Sequence, residues 1–116
     1  MTKSRLQIVP TALTSTVNSR IINEQVRIDF SPFALKQIIK IPADIKSRLN
    51  YWIQAVKRDG LIQTRRTPGY HDKPLSGSRA QQRSVRLNRS WRLFYRVSAE
   101  ETLTVIFIEE VNKHDY

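Results

Sequence analysis

Residues 83–97 read Arg83-Ser84-Val85-Arg86-Leu87-Asn88-Arg89-Ser90-Trp91-Arg92-Leu93-Phe94-Tyr95-Arg96-Val97. Two runs rich in apolar and aromatic residues flank a short polar connection, Asn88-Arg89-Ser90, so the stretch predicts a β-hairpin. Successive side chains of a strand point to opposite faces. Arg92 and Arg96 therefore share a face of the second strand, and Ser84 and Arg86 share a face of the first. A guanidinium inside the otherwise apolar run Trp91 to Val97 is costly unless it meets a polar cleft or an anion. Arg92, with Arg86 on the neighbouring strand, is the candidate anion-binding pair. Arg89 and Arg96 read as solvated strand residues whose charge discourages pairing between molecules.

Downstream, a polar turn, Ser98 to Glu101, precedes Leu103-Thr104-Val105-Ile106-Phe107-Ile108, which is apolar on both faces and predicts a central strand. The chain then finishes in Asn112-Lys113-His114-Asp115-Tyr116. His114 and Tyr116 are candidate proton-transfer groups, because imidazole titrates near neutral pH and a phenol beside arginines can be acidified.

Upstream, Leu61 to Arg79 lacks periodicity and contains Pro68-Gly69 and Pro74, so it reads as an irregular loop carrying Arg65, Arg66, His71, Lys73 and Arg79. Before it, Ile45, Leu49, Trp52, Ile53 and Val56 form one apolar stripe of a helix that starts at Pro42 and closes at Gly60. Gln25 to Phe30 alternates and predicts a strand. Ser31 is a good N-cap and Pro32 a good first residue for a helix reaching about Lys40, with Phe30 and Leu35 at the positions of a hydrophobic staple. Residues 1–24 show no sustained pattern and read as a weakly ordered arm, leaving 25–116 as the folded domain. The order strand, helix, helix, strand, strand, strand predicts an α+β fold of two layers, with two helices on one face of a mostly antiparallel sheet.

The chain has 116 residues, room for a single core. Lys and Arg number 20 against 10 Asp and Glu, a net charge of +10, which points to a polyanionic partner. The stretch from Lys73 to Ala99 holds seven basic residues and no acid. There is no cysteine, so disulfides and thiolate metal sites are excluded. With no apolar run of membrane-spanning length and no secretory leader pattern, the expected setting is the cytoplasm. Gly60, Gly69 and Gly77 are too scattered for a phosphate loop, and His71 and His114 are too few for a zinc cluster. No metal or cofactor is expected.

The segment Leu75-Ser76-Gly77-Ser78-Arg79-Ala80-Gln81-Gln82-Arg83-Ser84-Val85-Arg86-Leu87-Asn88-Arg89-Ser90-Trp91-Arg92-Leu93-Phe94-Tyr95 resembles the hairpin of HigB-like toxins in the RelE/ParE superfamily, and the ending Glu110 to Tyr116 resembles their His- and Tyr-bearing tail. The likeness covers roughly 25–116. It implies a RelE-like β-α-α-β-β-β fold and the toxin of a type II toxin-antitoxin system, a ribosome-dependent endoribonuclease that cuts mRNA and is silenced by a cognate antitoxin. It also implies that Arg92 contacts the scissile phosphate, with Arg86 assisting and His114 and Tyr116 exchanging protons. Some relatives carry a basic residue where this chain has Ser76, which leaves that charge to Arg79 or Lys73. Arg65, Arg66, Arg83 and Lys113 complete the expected RNA-binding set. Two other readings remain open on sequence: a ParE-like inhibitor that binds DNA gyrase without catalysis, and a plain nucleic-acid-binding module.

Overall fold

The computed structural model describes residues 25–100 and 102–113. The expected arm, residues 1–24, and the candidate residues His114 and Tyr116 lie outside the described residues.

Strand β1 (Gln25–Phe30) alternates as its sequence requires. Val26, Ile28 and Phe30 pack against the core, and Arg27 and Asp29 form an ion pair at 3.2 Å. Ser31 then stops the strand and starts helix α1 (Pro32–Lys40): its Oγ accepts from the Ala34 N–H at 2.9 Å and donates to the Glu109 carbonyl at 2.9 Å. One hydroxyl thus caps the helix and ties it to the sheet. Leu35, expected in a staple, is half exposed.

Helix α2 (Ala43–Asp59) follows after Ile41 and Pro42. Ile45, Leu49, Trp52, Ala55 and Val56 are buried, and Ile53 is partly so, which is the expected stripe with one alanine added. Gly60, at φ 86°, returns its N–H to the Val56 carbonyl and closes the helix. The expected irregular loop beyond it is more ordered than its sequence suggests. Leu61–Arg65 forms a short helix α3, because Leu61 and Thr64 are buried one turn apart and the Thr64 hydroxyl donates to the Gly60 carbonyl. A 3₁₀ turn, Pro68–Tyr70, leads to a two-residue strand β2 (Lys73–Pro74), and a second 3₁₀ turn spans Gly77–Arg79.

Strands β3 (Arg83–Arg86) and β4 (Trp91–Glu100) form the expected hairpin, and β5 (Leu103–Lys113) runs five residues beyond the expected apolar segment. The sheet order is β1-β5-β4-β3-β2, parallel between β1 and β5 and antiparallel elsewhere. The segment Leu103 to Ile108 is therefore interior to the sheet, as its two apolar faces require. The helices cover one face. Ile45, Leu49, Trp52 and Val56 meet Val85, Leu87, Leu93, Tyr95, Ile106, Ile108 and Val111 in one core.

A bulge interrupts the β4–β5 register: Phe94 pairs with Glu110, but Tyr95 pairs with Ile108, leaving Glu109 extra. The insertion keeps Ile108 and Val111 both in the core. Where β1 has ended, Gln37 of α1 takes over the free edge of β5, its Oε1 accepting from the Val111 N–H at 2.7 Å. No described helix is long and apolar enough to cross a membrane.

Trp52 lies at the centre of the core, fully buried, with its ring 5.2 Å from that of Tyr95 and tilted by 49°. Its indole N–H has no acceptor among the described residues. Trp52→Ala is expected to cost about 3–5 kcal/mol by cavity formation. Trp52→Phe should cost far less, since it keeps the ring contact and deletes an unpaired donor. Urea denaturation of the two variants measures the difference, and equal costs would contradict this account.

Candidate anion-binding face

The candidate residues Arg86 and Arg92 lie on the face of the sheet opposite the described helices. Alternation buries Val85, Leu87, Leu93 and Tyr95 on the helix side, and it consequently directs Arg86 and Arg92 to the other side. The register makes these two residues direct partners across β3 and β4, and pairs Arg92 in turn with Asn112 on β5. His71, in the turn that precedes β2, meets this pair through its side chain. One row thus crosses the face: His71, Arg86, Arg92, Asn112. The imidazole of His71 lies at its end, Nε2 being 3.4 Å from Nη1 of Arg86.

The turn of the hairpin orients Arg92. Asn88 folds its side chain back so that Oδ1 accepts from the N–H groups of Ser90 and Trp91, both at 2.8 Å. Its carbonyl is left to receive Nη1 of Arg92 at 3.1 Å. Asn112 is fixed from α1, its Oδ1 accepting from Nε2 of Gln37, while its amide donates to Glu110.

The next row is closed by internal pairing. The Arg79 guanidinium lies 4.4 Å above the Phe94 ring, is ion-paired with Glu110, and donates to Gln82 at 2.7 Å. Arg96 pairs with Glu109 at 2.9 Å and lies over Phe107. Because the bulge puts two acids in succession, Glu109 and Glu110 both serve arginines of this face. A cleft lined by Gln81, Arg96, Val97, Ser98, Val105 and Phe107 continues the face beyond them.

The expected RNA-binding residues divide between the two faces. Lys73, exposed, lies on β2 opposite Ser84. Lys113 stands opposite Trp91 at the end of the sheet, lining a small cleft with Gln37, Lys40 and Ile41. Arg66 is exposed at the end of α3. Arg65 and Arg83, in contrast, turn to an internal network. Asp72, whose side chain is 1% exposed, accepts from Nε of Arg83 and from the Tyr95 hydroxyl, both at 2.6 Å, and Nε of Arg65 reaches the same hydroxyl at 3.3 Å. Their charge balances a buried carboxylate instead of meeting the open face. Asp72 gave no signal in the sequence, where one acid in a basic loop reads as surface. His71 could have been noticed only by knowing that its loop meets the hairpin at Arg86, which the sequence did not show.

Among solved structures the chain is similar to a YoeB/ParE toxin from Agrobacterium tumefaciens, with 20% identity, 77% of this chain and 99% of that chain covered, and a TM-score of 0.59. It is also similar to YafQ from E. coli strain BL21(DE3), at 19% identity over 77% and 93% of the two chains with a TM-score of 0.60. A YoeB-YefM complex from Staphylococcus aureus matches at 21% identity over 79% and 99%, with a TM-score of 0.57. These likenesses establish the fold, a RelE-like α+β arrangement. No protein-family model and no curated protein sequence matches the chain.

The buried network gives the stability an alkaline limit. Burial, and then the hydrogen bond to Asp72, raise the Tyr95 phenol well above its ordinary value of 10.0, against the opposing pull of Arg65. Above pH 10 the unfolded chain releases this proton while the folded chain retains it, so stability is full below that pH and falls as the pH rises past it. Tyr95→Phe should remove this alkaline slope in denaturation midpoints measured from pH 8 to 11; a slope unchanged in the variant would show that another group sets it.

Proposed function

We propose that this chain is the toxin of a type II toxin-antitoxin system of the RelE/ParE superfamily, HigB-like branch, and acts as a ribosome-dependent endoribonuclease on mRNA. The observation that carries the reading is the pairing of Arg86 with Arg92 on the sheet face that no described helix covers. Two guanidiniums on adjacent strands match the oxygens of one phosphodiester, and they gain strength as charge develops there in the transition state.

RNA supplies its own nucleophile. The ribose 2′-oxygen attacks the adjacent phosphorus, the bond from phosphorus to the 5′-oxygen breaks, and a 2′,3′-cyclic phosphate and a 5′-hydroxyl result. The protein has to position the phosphate, stabilise its charge and move one proton, tasks that require neither metal nor cofactor. Arg92 and Arg86 perform the first two, with His114 and Tyr116 assigned to proton transfer. Lys73, Lys113 and Arg66 are the charges left to hold flanking RNA, and Arg79 reinforces the floor through Phe94 and Glu110.

The ribosome, as partner, delivers the mRNA and presents rRNA to a protein of charge +10, and translation places the encounter in the cytoplasm. The remaining partner is a cognate antitoxin. Its support is the fold shared with YafQ and YoeB, which are known in DinJ-YafQ and YoeB-YefM toxin-antitoxin complexes.

Arg92→Ala should lower cleavage by at least about 10²-fold, as loss of a transition-state charge partner does, with an unchanged unfolding midpoint. Mapping mRNA 5′ ends in translating cells should show codon-phased cuts for the wild type alone. Full activity of the variant removes the proposed site. Blocked DNA supercoiling with intact mRNA would instead identify a gyrase inhibitor.

A further inference from the structure

We infer that His71 is the general base of this site, withdrawing the 2′-hydroxyl proton at Nε2; the inference rests on the endoribonuclease reading and adds to it a residue from the opposite end of the row. Three observations support it.

The first is position. In an in-line displacement the attacking and leaving oxygens lie on opposite sides of the phosphorus, so the base and the acid must flank the phosphate. A phosphate centred on Arg86 and Arg92 has His71 on its β2 side, against Arg86. On its other side it has Asn112 of β5.

The second is the state of the ring. A guanidinium can only donate, so the 3.4 Å contact with Arg86 makes Nε2 the acceptor and leaves the proton of the neutral ring on Nδ1. The lone pair a base needs is therefore on the nitrogen facing the phosphate-binding pair. At 3.4 Å the contact is long and readily exchanged. An arriving phosphate offers Arg86 a stronger, charged acceptor, which uncovers Nε2 for the 2′-hydroxyl.

The third is the backbone. His71 is the one non-glycine residue with positive φ among the described residues, at 45°. Such a conformation is uncommon for a residue with a side chain. It turns Asp72 to the buried side, where Arg83 and Tyr95 hold it, and leaves the imidazole on the open face. The charged groups around His71 are consequently Arg86, then Arg92 and Lys73, with the Asp72 carboxylate directed elsewhere.

The step balances. Nε2 takes the proton as the bond from the 2′-oxygen to phosphorus forms, the bond to the 5′-oxygen breaks, and that oxygen receives a proton from the general acid, the role the proposed function leaves to His114 or Tyr116. Solvent then restores both groups.

The test uses the purified full chain with programmed ribosomes, read as single-turnover cleavage. His71→Asn is the variant of choice, because asparagine tolerates the left-handed backbone and cannot take up a proton near neutrality. Its cleavage rate should fall by about 10²- to 10⁴-fold. Ribosome affinity should stay within about twofold, since the variant keeps every Lys and Arg available to RNA phosphates. The acid limb of the pH–rate profile should disappear. A variant that keeps this limb, whether its rate is normal or reduced, overturns the assignment, since a residue with only a structural role leaves the limb in place. If His71→Asn cuts normally while Arg92→Ala does not, the base lies elsewhere and the nuclease reading survives. A wild-type protein that cuts nothing removes both.

Discussion

Burying Val85, Leu87, Leu93 and Tyr95 against helix α2 is the constraint from which the rest of the molecule follows. A strand side chain has two directions available, so committing these four to the core commits Arg86 and Arg92 to the other side, at the same height on neighbouring strands. A slip of one residue in this register would bury both guanidiniums and expose the apolar set. The hydrophobic effect thereby fixes the geometry of the charged face, without any contact between the arginines and the core they depend on.

The molecule separates its cations by what surrounds them. Arg65 and Arg83 converge on Asp72 and Tyr95 beneath the short helix α3, where a carboxylate that is almost fully buried has to be matched by charge and hydrogen bonds. Arg79 and Arg96 are matched on the open face by Glu110 and Glu109, which the β-bulge presents together. On the same face Arg86 lies against the His71 imidazole, and Arg92 donates to the Asn88 carbonyl. A net charge of +10 spread evenly would attract any polyanion. Here Arg65, Arg79, Arg83 and Arg96 are each tied to an acid or to the tyrosine hydroxyl bound to one.

Much of this was legible in the sequence. The stripe from Ile45 to Val56, the alternation of Gln25 to Phe30, the Ser31 cap and the hairpin all carry local signals, and each element forms where its pattern indicates. What was not legible depends on contacts between distant segments. Helix α3 exists because Leu61 and Thr64 find the core, and strand β2 because Lys73 and Pro74 meet β3; neither has a periodicity of its own. The extension of β5 through Lys113 is set by pairing with Trp91 and Arg92 and by Gln37, not by its mixed composition. The same limit applies to the site. Arg86 and Arg92 follow from alternation within one hairpin. The internal roles of Arg65 and Arg83 require knowing that Asp72 is buried, and the place of His71 requires knowing that the turn before β2 meets Arg86 of β3.

Direct opposition of like charges across a strand pair is unfavourable by itself. A hairpin selected for stability alone would place an acid or a threonine opposite Arg92, as it places Glu110 within reach of Arg79 in the adjacent row. Arg86 stands there instead, beside a histidine held in an uncommon backbone conformation. An anion held between the two strands would relieve that opposition, and this is the place the proposed function gives to the phosphate. The ligand's chemistry follows from what would relieve the conflict: an anion small enough to lie between two strands, with oxygens for both guanidiniums. A phosphodiester meets that description.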